Sequence, residues 1–173
     1  KPINIKEAEA IVNQIIKCCK DKKYKNMTMG VISLLGSHQS EVIENMLTEK
    51  LGIEEMVNRK LICGDAYSFQ GDERDIIFLS IVQAPKEEGG PVRLLSEDGN
   101  NDLTRKKYNV AASRAKDQMW IVHSLNPEID LKPDDIRVRL IKHAINPSFS
   151  EKEIQTKSTE SEFEKEVLIA LIN

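Results

Sequence analysis

The 173-residue sequence holds few cysteines: Cys18, Cys19 and Cys63. An odd count with two of them adjacent excludes a disulfide framework. No C-x-x-C pair or Cys/His spacing suggests zinc, and His38, His123 and His143 are widely scattered. No apolar run approaches the ~20 residues of a membrane span, which argues against a membrane partner. The N-terminal KPINIKEAEA lacks the apolar core of a secretory signal. Excess positive charge is also missing: the net charge is −3, so no global basic field advertises nucleic acid, although a local basic groove needs only local Lys and Arg. No internal repeat or low-complexity tract is evident. With 40% hydrophobic and 31% charged residues, the chain reads as one globular domain with a real core, and the absence of disulfides fits a cytoplasmic, reducing compartment.

Asn4 with Glu7 forms a capping-box pattern, and Ala8, Ile11, Val12, Ile15 and Cys19 recur at helical spacing behind it. Met29 to Leu35 reads as a buried strand, followed by the turn Gly36-Ser37-His38. A second helix carries Val42, Ile43, Met46 and Leu47 and stops at Gly52. Leu61 to Gly64 and Ile76 to Val82 are strands, Lys106 to Ala115 a helix, Met119 to Val122 the last strand, and Arg137 to Ala144 a further helix. Helices alternating with continuous apolar strands indicate an α/β fold with a mainly parallel sheet covered on both faces. Ala84 to Thr104, with its prolines and glycines, is long for a connection and is expected to be mobile.

Composition shifts at Asn146. Residues 1–146 read as one domain and the serine-rich 147–160 as a linker. In 161–173, the S-x-x-E box of Ser161 and Glu164, with Phe163, Val167, Leu168 and Leu171, predicts a C-terminal helix. That helix either opens a further domain or packs back on the core.

Two segments join polar clusters to buried-type strands. DAYSFQGDERDIIFLSIV (65–82) sets Gln70, Gly71 and Glu73 ahead of an apolar run, and RKKYNVAASRAKDQMWIV (105–122) sets Asn109, Ser113 and Arg114 ahead of another. Polar groups at strand ends are where open α/β sheets bind ligands.

In order, GVISLLGSHQSEVIENML, DAYSFQGDERDIIFLSIV and RKKYNVAASRAKDQMWIV resemble motifs IV, V and VI of a superfamily 1 helicase, over about Asn4 to Leu125. The wording of the second resembles the branch that includes nonsense-mediated-decay enzymes and related helicase-nucleases. The resemblance implies a RecA-like, P-loop-type three-layer domain, the second of two in an ATP-dependent helicase that uses ATP and Mg2+. It implies nucleic acid as partner, DNA favoured over RNA. No Gly-Lys dipeptide for a phosphate loop and no strand-borne Asp-Glu pair for magnesium occur in the chain. The first RecA-like domain is therefore a further expected partner, and this chain by itself is expected to hold no cofactor and hydrolyse no ATP. Residues 161–173 resemble the opening of a restriction-endonuclease-like domain.

On the same resemblance, Arg114 is the catalytic residue, an arginine reaching the γ-phosphate; its forked, permanently charged donors suit non-bridging oxygens. Gln70, Gly71 and Glu73 join Arg114 in binding nucleotide. Glu73 would accept from ribose hydroxyls, and Gly71, without a Cβ, would let backbone approach. Gln39, Tyr67, Ser68 and Asn109 are the expected nucleic-acid contacts; a hydroxyl can bond a phosphate and a tyrosine ring can stack on a base. Plainer readings stand beside these: Arg114 paired with Asp117 on the surface, Gln39 a helix-start polar residue, Asn109 a helix cap, Tyr67 and Phe69 core aromatics. The rival function is an α/β module of a helicase-nuclease that binds nucleic acid or protein without motor activity.

Overall fold

The computed structural model describes residues 2–95 and 102–146 and the backbone strand within 166–171. Expectations for 96–101 and 147–165, including the linker, lie outside the described residues.

Helix α1 (Ile5–Lys20) starts at Asn4, whose Oδ1 accepts from the backbone N–H of Glu7 at 3.2 Å while its Nδ2 donates to Glu7 Oε1 at 3.1 Å. The expected capping box is formed. Strand β1 (Met29–Ser33) is buried throughout. Helix α2 (His38–Lys50) ends before Gly52, as expected. The chain then enters a short helix, α3 (Ile53–Asn58), that buries none of its residues and so left no periodic signal. Strands β2 (Ile62–Asp65) and β3 (Arg74–Ser80), helix α4 (Asp102–Ala112), strand β4 (Ala115–His123), helix α5 (Ile136–Ile145) and strand β5 (Glu166–Leu171) complete the order.

The strands form one sheet in the order β2-β1-β3-β4-β5, and every pairing is parallel. Side chains alternate across it. Met29, Val31, Ile76 and Phe78 face α1 and α2; Ile32, Ile77, Leu79 and Ile121 join α4 and α5 in the second core. A sheet covered on both faces needs the continuous apolar strands that the sequence supplies. Phe78 stacks on Trp120 with centroids 6.0 Å apart, so Trp120 serves the core. Among the described residues, no helix is long and apolar enough to cross a membrane.

One expectation changes. Glu166–Leu171 is not helical: it pairs with β4 from Gln118↔Glu166 to His123↔Leu171. A contiguous Val-Leu-Ile-Ala-Leu run suits a buried strand as well as one helix face, and the open edge of β4 decides between them. Within Ala84 to Thr104, residues 92–95 are hydrogen-bonded to the fold. Val92 N–H donates to Asp130 O at 2.8 Å, and Leu95 N–H donates to Asp135 Oδ2 at 3.0 Å. Arg137, buried in an ion pair with Asp135 at 2.6 Å, donates to Arg93 O at 2.7 Å.

The passage from β2 to β3 positions the site. Both strands run parallel to β1 on its opposite sides, so the chain must return from the carboxyl end of β2 to the amino end of β3. Parallel connections ordinarily take a dozen or more residues. Here residues 66–73 suffice, coiled as a turn that lies directly on the sheet. Two glycines leave the room: a Cβ on Gly64 would stand 2.6 Å from Ser68 Cβ, and one on Gly30 would stand 2.7 Å from the Phe69 ring. Phe69 is fully buried, which fits its core reading. We expect Gly64→Ala to cost about 1–3 kcal/mol, as overpacking does. Urea denaturation reads this as a lower midpoint at unchanged slope; an unmoved midpoint contradicts the close packing.

Candidate functional site

The turn over residues 66–71 is held by its own polar groups. Asp65 Oδ1 accepts from the Ser68 N–H and Oγ, each at 2.9 Å. Gln70 N–H donates to Tyr67 O, and Asp72 N–H donates to Phe69 O, both at 3.0 Å. Gly71 sits at φ +83°, a left-handed conformation that favours glycine, with open space where a Cβ would be. Tyr67, Ser68, Gln70, Gly71 and Glu73 are all exposed. The Ser68 hydroxyl proton is directed at Asp65, so toward an incoming phosphate it offers lone pairs unless it rotates. Tyr67 is 60% exposed and is no core aromatic.

Helix α4 brings Arg114 to this turn. Ser113 Oγ donates to Val110 O at 2.9 Å and accepts from Arg114 Nη2 at 2.8 Å. Arg114 Nε points at Val110 O (3.1 Å), and Nη1 reaches Phe69 O in the turn at 3.4 Å. Asp117 takes no part in these bonds. Each nitrogen uses one N–H here, so among the described residues one on Nη1 and one on Nη2 have no acceptor and can meet an incoming oxygen. Arg74 N–H donates to Arg114 O at 3.1 Å, so Glu73 and Arg114 lie side by side, each just ahead of its strand. Gln70, Gly71, Glu73 and Arg114 therefore share one corner of the sheet.

Beside this corner a cleft of about 230 Å³ opens between the turn and α4, lined by Ala66, Tyr67, Gln70, Lys106, Lys107 and Val110. Burial holds the Lys107 ammonium below its usual range, and the charge of Asp65 opposes that shift. Asn109 is exposed in the body of α4, not at its start, so it is no helix cap.

Gln39 is not part of this site, and the expectation of a nucleic-acid contact there is corrected. Its side chain is fully buried at the opposite, carboxyl end of the sheet. Oε1 accepts from Asn4 N–H at 2.8 Å; Nε2 donates to Asn4 O at 2.9 Å and Ser80 Oγ at 3.2 Å. Glu7 completes that network. Its Oε2 accepts from Ser80 Oγ at 2.7 Å and Val82 N–H at 2.8 Å, and its Oε1 from Asn4 Nδ2 and Ser124 Oγ. Burial pushes the Glu7 carboxyl up from 4.5 to about 7, although these hydrogen bonds pull the other way. Val82, a β-branched residue at φ +70°, is held in a strained conformation by this acceptor.

The general rule for open α/β sheets puts ligands at the carboxyl ends of strands. Here protein groups fill that end, and the half-buried Arg114 guanidinium gathers with the exposed Glu73 carboxylate and Gly71 at the amino ends of β3 and β4. The sequence reading passed over two participants, Arg74 and Glu7. A charged residue directly ahead of an apolar strand was the only signal for the first, and half of a capping box the only one for the second.

Comparison with known proteins gives one family. A family model described as an AAA domain matches residues 1–126. No curated protein sequence matches the chain.

Proposed function

Because the chain belongs to the AAA-domain family, whose members occur in C-terminal regions of superfamily 1 helicases and which points to helicase-type P-loop nucleotide hydrolases, we propose that it is the second motor domain of a cytoplasmic, ATP-dependent nucleic-acid helicase. The placement of Arg114 against the 69–73 turn, with two N–H groups that meet no acceptor among the described residues, carries this reading. The donor set fits a nucleotide. Arg114 would meet the γ-phosphate, Glu73 would accept from the ribose hydroxyls, and the open face of Gly71 with Gln70 would receive the rest. The described residues include no group of three or more His, Cys, Asp or Glu side chains able to hold a metal. In this reading Mg2+ and the phosphate-cradling loop belong to the first RecA-like domain, which closes over the same corner. Tyr67, Ser68 and Asn109 border the nucleic-acid side, with single-stranded DNA as the proposed track.

The test is strand-stimulated ATP hydrolysis by the full-length protein that carries this domain. A ribose contact exists in the ground state as well as in the transition state, so Glu73→Gln should raise KM for ATP more than it lowers kcat. Tyr67→Ala should raise the strand concentration needed for half-maximal stimulation while leaving KM for ATP unchanged. Hydrolysis with neither dependence favours the binding module.

A further inference from the structure

Arg74 lies outside every role assigned so far, yet it has four anchors. Its Nε donates to Lys60 O at 2.7 Å, and its Nη1 donates to both Asp72 Oδ1 at 2.6 Å and Glu73 O at 2.7 Å. Its backbone N–H donates to Arg114 O at 3.1 Å. The Arg74 side chain is buried, while its partner Asp72 is half-exposed. The β3–β4 register shifts between Arg74 and Ile76, an irregularity of the kind that re-aims a side chain at a sheet rim.

We propose that Arg74 is a positioning residue for the nucleotide cleft, fixing Glu73 and Arg114 relative to one another from beneath. This rests on the function proposed above. The guanidinium ties the Asp72-Glu73 backbone to the turn before β2, and its own main chain ties that backbone to Arg114. Only a planar fork can serve Lys60 O along one edge and the Asp72-Glu73 pair along the other. Asp72 is held below the usual carboxylate range chiefly by the hydrogen bond from Arg74, which fits a charged pair.

The test compares Arg74→Gln, Arg74→Lys, Glu73→Gln and the double variant Glu73→Gln/Arg74→Gln in the full-length protein at saturating single strand. Loss of a bond between charged groups at a site like this is read as roughly tenfold. Arg74→Gln should therefore raise KM for ATP by about that factor and also lower kcat, because both neighbours shift. Arg74→Lys should recover only part of each, since an ammonium reaches one edge but not both. The double variant should show a KM no higher than Arg74→Gln alone, the non-additivity expected when one residue acts through another. Unchanged kcat and KM in folded Arg74→Gln, or effects that simply add to those of Glu73→Gln, overturn the proposal. Should Arg74→Gln fail to fold, Asp72→Asn replaces it, because it weakens the same anchor from a half-exposed position. Arg114→Ala is the control that separates the two readings. If it kills hydrolysis while Arg74→Gln is normal, only the positioning role falls; if it is silent, the functional reading falls too.

Discussion

Arg114→Ala in the full-length protein should lower strand-stimulated ATP hydrolysis by about 10³- to 10⁵-fold, the range for arginines that meet a transferring phosphoryl group. The loss should fall on kcat. A guanidinium aimed at charge that develops late adds little to ground-state affinity, so ATP binding should persist. Its setting is already built: Ser113 Oγ and Val110 O hold the Arg114 fork, and Phe69 O orients its Nη1 toward the turn. Arg114→Lys should rescue poorly, because an ammonium cannot reproduce the fork. Steady-state kinetics with saturating strand decide the matter. A change confined to KM, or none, means that Arg114 is a surface arginine and that the domain binds without driving a motor.

The second large effect concerns Glu7 and pH. Its carboxyl moves from an ordinary 4.5 to about 7 in the fold, because burial outweighs the hydrogen bonds from Ser80, Val82 and Ser124. The sign follows from proton counting. Between these two values the folded chain binds more protons than the unfolded one, so stability falls as pH rises. The contribution is fully present below pH 4.5 and gone above about 7, and it amounts to about 3 kcal/mol. Glu7→Gln keeps the shape and removes the titration. Denaturation at pH 5 and pH 8 should show the wild type losing stability relative to Glu7→Gln across that interval. On a domain of this size the difference corresponds to a melting shift of roughly 6–12 °C. A wild-type-minus-variant difference that is flat with pH shows that Glu7 stays ionised throughout.

The legible parts of the fold share one cause. Residues that face a single environment along an element announce it: Met29 to Ser33 is buried at every position, and α1 repeats its apolar stripe. What was missed depends on partners far away in the chain. Gln39 looks like any polar residue at a helix start until Asn4, 35 positions earlier, claims both ends of its amide. The first residues of β4, with Lys116 and Asp117 exposed, carry no strand pattern and are recruited by pairing with β3. Glu166–Leu171 fits either period, and only a free sheet edge chooses. For the site, the local words of the sequence brought Gln70, Gly71, Glu73 and Arg114 to one corner. The anchor beneath them, Arg74, needs Lys60 O, which no local pattern reveals.

The eight-residue return between β2 and β3 has a mechanical consequence. It is too short to carry slack, and both of its ends are strands of one sheet. Tyr67 and Gln70 are joined through a hydrogen-bonded turn, and Phe69 between them is wedged against Gly30. Such a segment is built as a strut, not a hinge: a load at Gly71 reaches Tyr67 through one hydrogen-bonded turn braced on the sheet. Whatever loads one end of it loads the other, and compliance has to come from motion of the domain as a whole.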